Sequence, residues 1–129
     1  MSKSTRIILL FITVTLSALL SGCASSSYAA QPSLNPQAAA GKQVFDSMCS
    51  ACHSTLPETV IVGPSLAGLP GRAVERIEGL TVEEYLRQSI LDPGAYIVEG
   101  YNDLMPRTFG EVYDREQIDS LIAYLLTLE

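Results

Sequence analysis

Residues 49–53 read Cys-Ser-Ala-Cys-His. Two thiols three positions apart, followed at once by an imidazole, form the arrangement that attaches haem c. Each thiol adds to one vinyl group of the porphyrin, and the histidine reaches the iron. The chain holds only three cysteines and one histidine, so this order of residues rarely arises by chance. The motif therefore predicts one covalently attached haem.

Two other uses of this motif fit the rest of the chain less well. A redox-active dithiol requires a thioredoxin-like βαβ context, and strand signals are absent from the sequence. A zinc site requires four ligands, but beyond the motif only Cys23 and carboxylates remain, and the adjacent Cys52 and His53 would converge awkwardly on one ion.

The iron ligands can be narrowed by counting candidates. His53 is the only histidine, so it is the predicted proximal ligand and a second histidine ligand is impossible within this chain. Met48 adjoins the motif on the apolar side of a predicted helix, which favours packing in the core. Met105 lies in a loop before Pro106, where an apolar side chain would otherwise lack a purpose. Met105 is therefore the predicted sixth ligand.

The N-terminus has the pattern of an export signal. Basic residues precede an uncharged apolar run at 7–20, which at about 14 residues is shorter than the roughly 20 that span a membrane. Leu20-Ser21-Gly22-Cys23 resembles the lipobox of bacterial lipoproteins, whose cysteine is lipidated and becomes the new N-terminus. We expect a signal peptide at 1–22, with an uncleaved signal anchor as the alternative.

The remaining chain divides into a tether at 23–34, rich in Ser, Ala and Pro, and a domain at 35–129. Two of the eight basic residues, Lys3 and Arg6, belong to the signal, so six would face 14 acidic residues in the mature protein. Nucleic acid is an unsuitable partner for such an acidic domain. Acidic side chains suit a basic docking partner or simply confer solubility.

Capping residues predict three helices. The first starts at Asn35-Pro36, and its apolar side includes Ala40, Val44, Phe45 and Met48. Thr81 caps the second, which ends before Asp92-Pro93-Gly94, and Asp114 caps the third, Arg115 to Leu128. Long irregular stretches at 54–72 and 94–113 separate them. Such loops suggest that a buried prosthetic group completes the core.

With this order of helices, Cys-x-x-Cys-His, Gly-Pro loop and Met-Pro, the chain resembles the class I cytochrome c family from about residue 35 to 128. The resemblance implies an all-α fold, in which three main helices and long loops wrap around one covalently bound haem. It implies that Pro64 offers its carbonyl to His53. Gly41, Phe45 and Tyr124 match the family's crossing of the first and last helices. Haem propionates would be bound by Tyr101, Asn102 and Arg72, with Tyr96 an equal competitor to Tyr101.

Two protein ligands on the iron would exclude a substrate, so the expected function is single-electron transfer and not enzymatic catalysis. The expected partners are redox proteins such as an oxidase, a reductase or a photosynthetic complex. The chain could be a carrier or a fixed subunit, anchored by lipid at Cys23 and facing the periplasm or another extracytoplasmic space. The alternatives are a haem-based sensor or enzyme for nitric oxide or peroxide, and a lipoprotein that never receives haem.

Overall fold

Helices and loops make up the protein in a computed structural model, which describes residues 33–74 and 76–129. These residues contain no strand, only an isolated bridge between His53 and Val60. The predicted all-α fold is confirmed. No helix within the described ranges is both long and apolar enough to cross a bilayer. The predicted signal at 1–22, the predicted lipidation site at Cys23 and nearly all of the predicted tether at 23–34 lie outside the described residues.

Helix α1, Pro36–Val44, begins where the sequence predicts. The Asn35 side chain accepts a hydrogen bond from the backbone amide of Ala38 at 2.8 Å, and Pro36 occupies a first-turn position that needs no amide donor. The helix continues into a wider π-helical turn, Phe45–Cys49, in which the amide of Ser50 donates to the carbonyl of Phe45 at 3.0 Å.

This wider turn corrects the prediction for Met48. The predicted core side chain is 43 % exposed instead, and it borders a cavity. Met48 lies within this turn, which uses more residues than an α-helical turn and so takes its side chains out of register with the apolar stripe. Ala40, also assigned to that stripe, is exposed, whereas Ala38 and Gly41 are buried.

Two short helices interrupt the stretches predicted to be irregular. Helix α2, Leu69–Ala73, lies at the end of the stretch predicted to be irregular and contains Pro70 and Gly71, residue types that commonly interrupt helices. Proline is tolerated in a first turn, where its missing amide has no intrahelical partner. Helix α4, Phe109–Val112, buries Phe109 within the second stretch.

Helix α3, Val82–Leu91, carries the predicted capping box between Thr81 and Glu84. Helix α5, Arg115–Leu125, carries a second one between Asp114 and Gln117. This last helix ends three residues earlier than predicted. The hydroxyl and amide of Thr127 both donate to the carbonyl of Tyr124, which tightens the final turn.

The core forms where α1 and α5 pack on each other, with α3 alongside. Gly41 permits this packing, because a Cβ there would overlap the backbone carbonyl of Ser120. The rings of Phe45 and Tyr124 lie 5.4 Å apart at the same crossing. The other large buried side chains are Tyr85, Leu86, Ile90, Phe109, Ile118, Leu121, Ile122 and Leu125.

Candidate functional site

The helices and the two long loops enclose an apolar cavity of about 250 Å³. Core side chains form its floor, among them Leu86, Ile90, Leu121 and Leu125. Every residue that the sequence assigns to the haem site borders this cavity: Cys49, Cys52, His53, Pro64, Arg72, Tyr101, Asn102 and Met105. The fold therefore brings residues that lie up to 56 positions apart in the sequence to a common wall.

Cys49 and Cys52 are both free thiols on the cavity wall. The amides of Cys52 and His53 donate to the carbonyl of Cys49, at 3.0 and 2.8 Å, so the motif forms a tight turn. Burial raises the pKa of the Cys49 thiol to about 11, and the neighbouring Cys52 adds to the rise. The buried position of Cys49 therefore favours the neutral thiol over the thiolate.

The ring of His53 is oriented by a single hydrogen bond. Its Nδ1 lies 2.9 Å from the backbone carbonyl oxygen of Pro64. A carbonyl only accepts, so Nδ1 carries a proton, and in the neutral ring Nε2 then keeps its lone pair. This is the protonation state that an imidazole needs to bind iron through Nε2.

Gly63 allows the loop to lie directly against the His53 ring. A Cβ at this position would lie 2.9 Å from both ring nitrogens, which no real side chain tolerates. The carbonyl of Cys52 accepts hydrogen bonds from the amides of Val62 and Gly63, at 3.2 and 2.9 Å, and so ties the loop to the motif. Gly63 is not among the site residues predicted from the sequence, although its place directly before Pro64 is a signal for such a role.

Arg72 lies at the cavity wall with its guanidinium engaged by the protein. It donates to the carbonyl of Ala67, and at 2.7 Å to the carbonyl of Ser65. Both acceptors follow Pro64 in the chain, so Arg72 holds the loop that orients His53. The propionate role suggested for Arg72 remains a prediction.

Met105 lies half-buried among residues 101–106, on another segment of the same cavity wall. Tyr101 is half-buried and Asn102 is exposed. Tyr96, the competitor of Tyr101, packs edge-on against Tyr85 with 6.0 Å between ring centres. All of these border the cavity, so the choice between Tyr96 and Tyr101 stays open.

This donor set fits haem c. Attachment requires two reduced thiols beside an imidazole whose metal-binding nitrogen is free, and Cys49, Cys52 and His53 meet that requirement. Apolar walls suit the porphyrin, and a thioether borders the same space. No cluster of three or more His, Cys, Asp or Glu that could hold a metal ion occurs within the described ranges.

Comparison with known families finds that the family model described as Cytochrome c matches residues 38–129. The match covers well over half of the chain and includes the motif at 49–53 and Met105. A search of curated proteins found no match.

Proposed function

Because the chain belongs to the cytochrome c family and so carries covalently attached haem c, we propose that it transfers single electrons at an extracytoplasmic membrane surface with its iron held by His53 and Met105. The haem, when bound, supplies a one-electron couple between ferrous and ferric iron. The residues around the cavity hold that group, orient its ligands and exclude water.

The observation that carries the proposal is the orientation of His53. Its Nδ1–H group is committed to the Pro64 carbonyl, so only Nε2 is left for the metal. Such a hydrogen bond fixes the ring and raises its basicity as a ligand. A loop tied to the motif and to Arg72 keeps the acceptor in place in both oxidation states.

The apolar wall favours electron transfer in a second way. A cavity floored by side chains such as Leu86, Leu121 and Leu125 offers few dipoles that must reorient when the charge of the iron changes. Low polarity also disfavours the extra positive charge of ferric iron, as does a thioether ligand. We expect a reduction potential well above that of a haem with two histidine ligands.

The test for ligation uses carbon monoxide, which binds ferrous iron only where a ligand is absent or easily displaced. The reduced wild-type protein should show no rapid change of the Soret band on mixing, because Met105 occupies the site. Met105→Ala should bind carbon monoxide rapidly. The matched control is Met48→Ala, which removes the other methionine at the cavity and should keep the sixth ligand.

A rapid change in the wild-type protein would instead favour the alternative function, a sensor or enzyme for a small ligand with a labile sixth position. A rapid change in Met48→Ala alone would transfer the ligand role to Met48. Mass spectrometry of the exported protein measures haem attachment separately, and Cys49→Ser with Cys52→Ser should remove the haem mass.

We also propose that lipid on Cys23 anchors the domain at a bacterial membrane, with redox proteins as its partners. The support is the sequence Leu20-Ser21-Gly22-Cys23 after an apolar run, and the stabilisation of about 0.8 kcal/mol per buried methylene that acyl chains provide. Membrane-fractionated protein should carry haem and acyl mass together. Cys23→Ala should release the haem protein to the soluble fraction, and retention in the membrane would contradict the anchor.

A further inference from the structure

An ion pair brackets the predicted iron ligand Met105. Nη2 of Arg107 lies 2.5 Å from Oδ2 of Asp103, so the pair closes a short loop whose middle residue is Met105. Side chains of Asp103 and Arg107 are 36 % and 57 % exposed. Asp103 borders the cavity itself.

Arg107 also connects this loop to a neighbouring turn. Its guanidinium lies so close to Gly94 that a Cβ there would overlap Nη2 and approach Cζ to 3.4 Å. Gly94 belongs to a 3₁₀ turn, Pro93–Ala95, in which the buried Pro93 borders the cavity. The ion pair therefore holds the Met105 loop against a fixed part of the wall.

Met105 also packs against the hydrophobic core, but few hydrogen bonds hold its loop. Within the described ranges, the backbone of residues 96–107 forms two hydrogen bonds, Tyr101 to Val98 and Leu104 to Asn102. Neither involves the backbone of Met105, and Pro106 has no amide to donate. The Asp103–Arg107 pair is the ion pair found in this segment of the described structure.

We propose that Asp103 and Arg107 are positioning residues that hold Met105 on the iron and so set how often the sixth position opens. The inference rests on the proposed function, because it requires Met105 to be the ligand. It goes further by assigning the strength of that ligation to a salt bridge outside the ligand set.

The expected size of the effect follows from exposure. Ion pairs at the surface contribute little free energy and are screened by salt. Loss of this pair should therefore raise the fraction of molecules with Met105 off the iron, the open fraction, about threefold. Carbon monoxide reports that fraction, because it binds the reduced protein only while Met105 is off the iron. Added salt should accelerate binding to the wild-type protein and change the rate little in a variant without the pair.

The experiment compares carbon monoxide binding rates of reduced holoprotein across five variants. Arg107→Gln and Asp103→Asn should each bind about threefold faster than wild type, while Arg107→Lys, which keeps the charge, should stay close to it. Gly94→Ala keeps both charges but displaces the guanidinium, and should also bind faster. The control is Lys42→Gln, which breaks another exposed pair, Lys42–Asp46 at 2.6 Å between α1 and the π-helical turn after it, and should match wild type.

The outcomes separate this proposal from the proposed function. If Met105→Ala binds carbon monoxide rapidly but Arg107→Gln does not exceed wild type, the positioning role is refuted and the ligation stands. Equal acceleration in Lys42→Gln would also refute it, since the effect would then be general destabilisation. If Met105→Ala behaves as wild type, both the ligation and the positioning role fail.

Discussion

Two loop segments that border the same cavity are held in different ways. The His-side segment, residues 50–68, is bonded to itself and to the motif through backbone and side chains, including Val62 and Gly63 to Cys52, and Leu66 to Ser54. The hydroxyl of Ser65 donates to the carbonyl of Leu56 at 2.6 Å. The Met-side segment, residues 96–107, has two backbone hydrogen bonds and one ion pair within the described structure.

This difference shows that two segments without regular secondary structure can differ in how firmly hydrogen bonds hold them. Both segments lack long helices, but the first satisfies many polar groups internally and the second leaves most of them to solvent. Covalent attachment of haem through two cysteines, together with a histidine ligand, suits a segment that is already well ordered. A thioether ligand, which is a weak donor, suits a segment that opens locally at low free-energy cost.

Hydrogen exchange of the holoprotein tests this contrast directly. We expect the largest effect among these predictions in this measurement. Amides of Val62, Gly63 and Leu66, which donate to backbone carbonyls, should exchange at least about 100-fold more slowly than those of Val98, Met105 and Arg107. The measurement is residue-resolved exchange by NMR of the reduced protein. Similar protection in both segments would remove the contrast.

Among single substitutions in the His-side segment, Gly63→Ala should lower the free energy of unfolding most. The added Cβ would collide with the imidazole, and the ring or the loop must move, so the hydrogen bond to Pro64 is lost. We expect the free energy of unfolding to fall by about 1–3 kcal/mol, measured by urea denaturation of the holoprotein.

Gly71→Ala is the matched control for this substitution. A Cβ at Gly71 meets no atom within 4 Å, and alanine favours the helix in which Gly71 lies. Its stability should stay equal to wild type or rise slightly. A comparable loss in both variants would show that the His53 contact is not the cause.

Local chemistry was readable from the sequence because it depends on adjacent residues. The Cys49–His53 motif and the caps at Asn35, Thr81 and Asp114 each operate within a few positions. They were enough to predict the helical fold and where its main helices begin. The roles of Cys49, Cys52, His53 and Met105 in haem attachment and iron ligation stay predictions, although the fold brings these residues to one cavity.

Other features depend on tertiary placement and were not readable. The register of Met48 follows from a π-helical turn that no residue type marks. Helix α2 forms although Pro70 and Gly71 disfavour helices elsewhere, because Pro70 falls in its first turn. The acceptors of Arg72 are backbone carbonyls, which every residue carries, so the sequence offered no signal for them.

Arg72→Gln should weaken the His-side segment by a smaller amount than Gly63→Ala. The guanidinium holds two carbonyls at once, and glutamine cannot reproduce that fork. Arg72 is exposed, so we expect a loss of about 1 kcal/mol in the free energy of unfolding. Arg72→Lys should lose nearly as much, because an ammonium group is a poor match for both acceptors.

Arg115→Gln is the control for loss of a cation. Its side chain is 91 % exposed and lies 3.9 Å from Asp119, so the change in stability should be close to zero. If Arg115→Gln costs as much as Arg72→Gln, the loss reflects overall charge and the carbonyl contacts contribute nothing.

The smallest expected effect belongs to Glu84, which lies outside both segments. Its carboxylate accepts a hydrogen bond from the amide of Thr81 at 2.8 Å, and this bond, with the Thr81 hydroxyl, lowers the pKa of Glu84. A lowered folded-state pKa stabilises the protein above the unfolded value of about 4.3, and the contribution disappears as pH falls through the folded value. Glu84→Gln should therefore unfold at slightly lower urea concentration at pH 7 and match wild type once the pH has fallen below the lowered folded-state pKa of Glu84. Because glutamine keeps part of the capping box, a loss as large as that of Gly63→Ala would mean that exposed caps, and not the bonding of the His-side segment, determine stability.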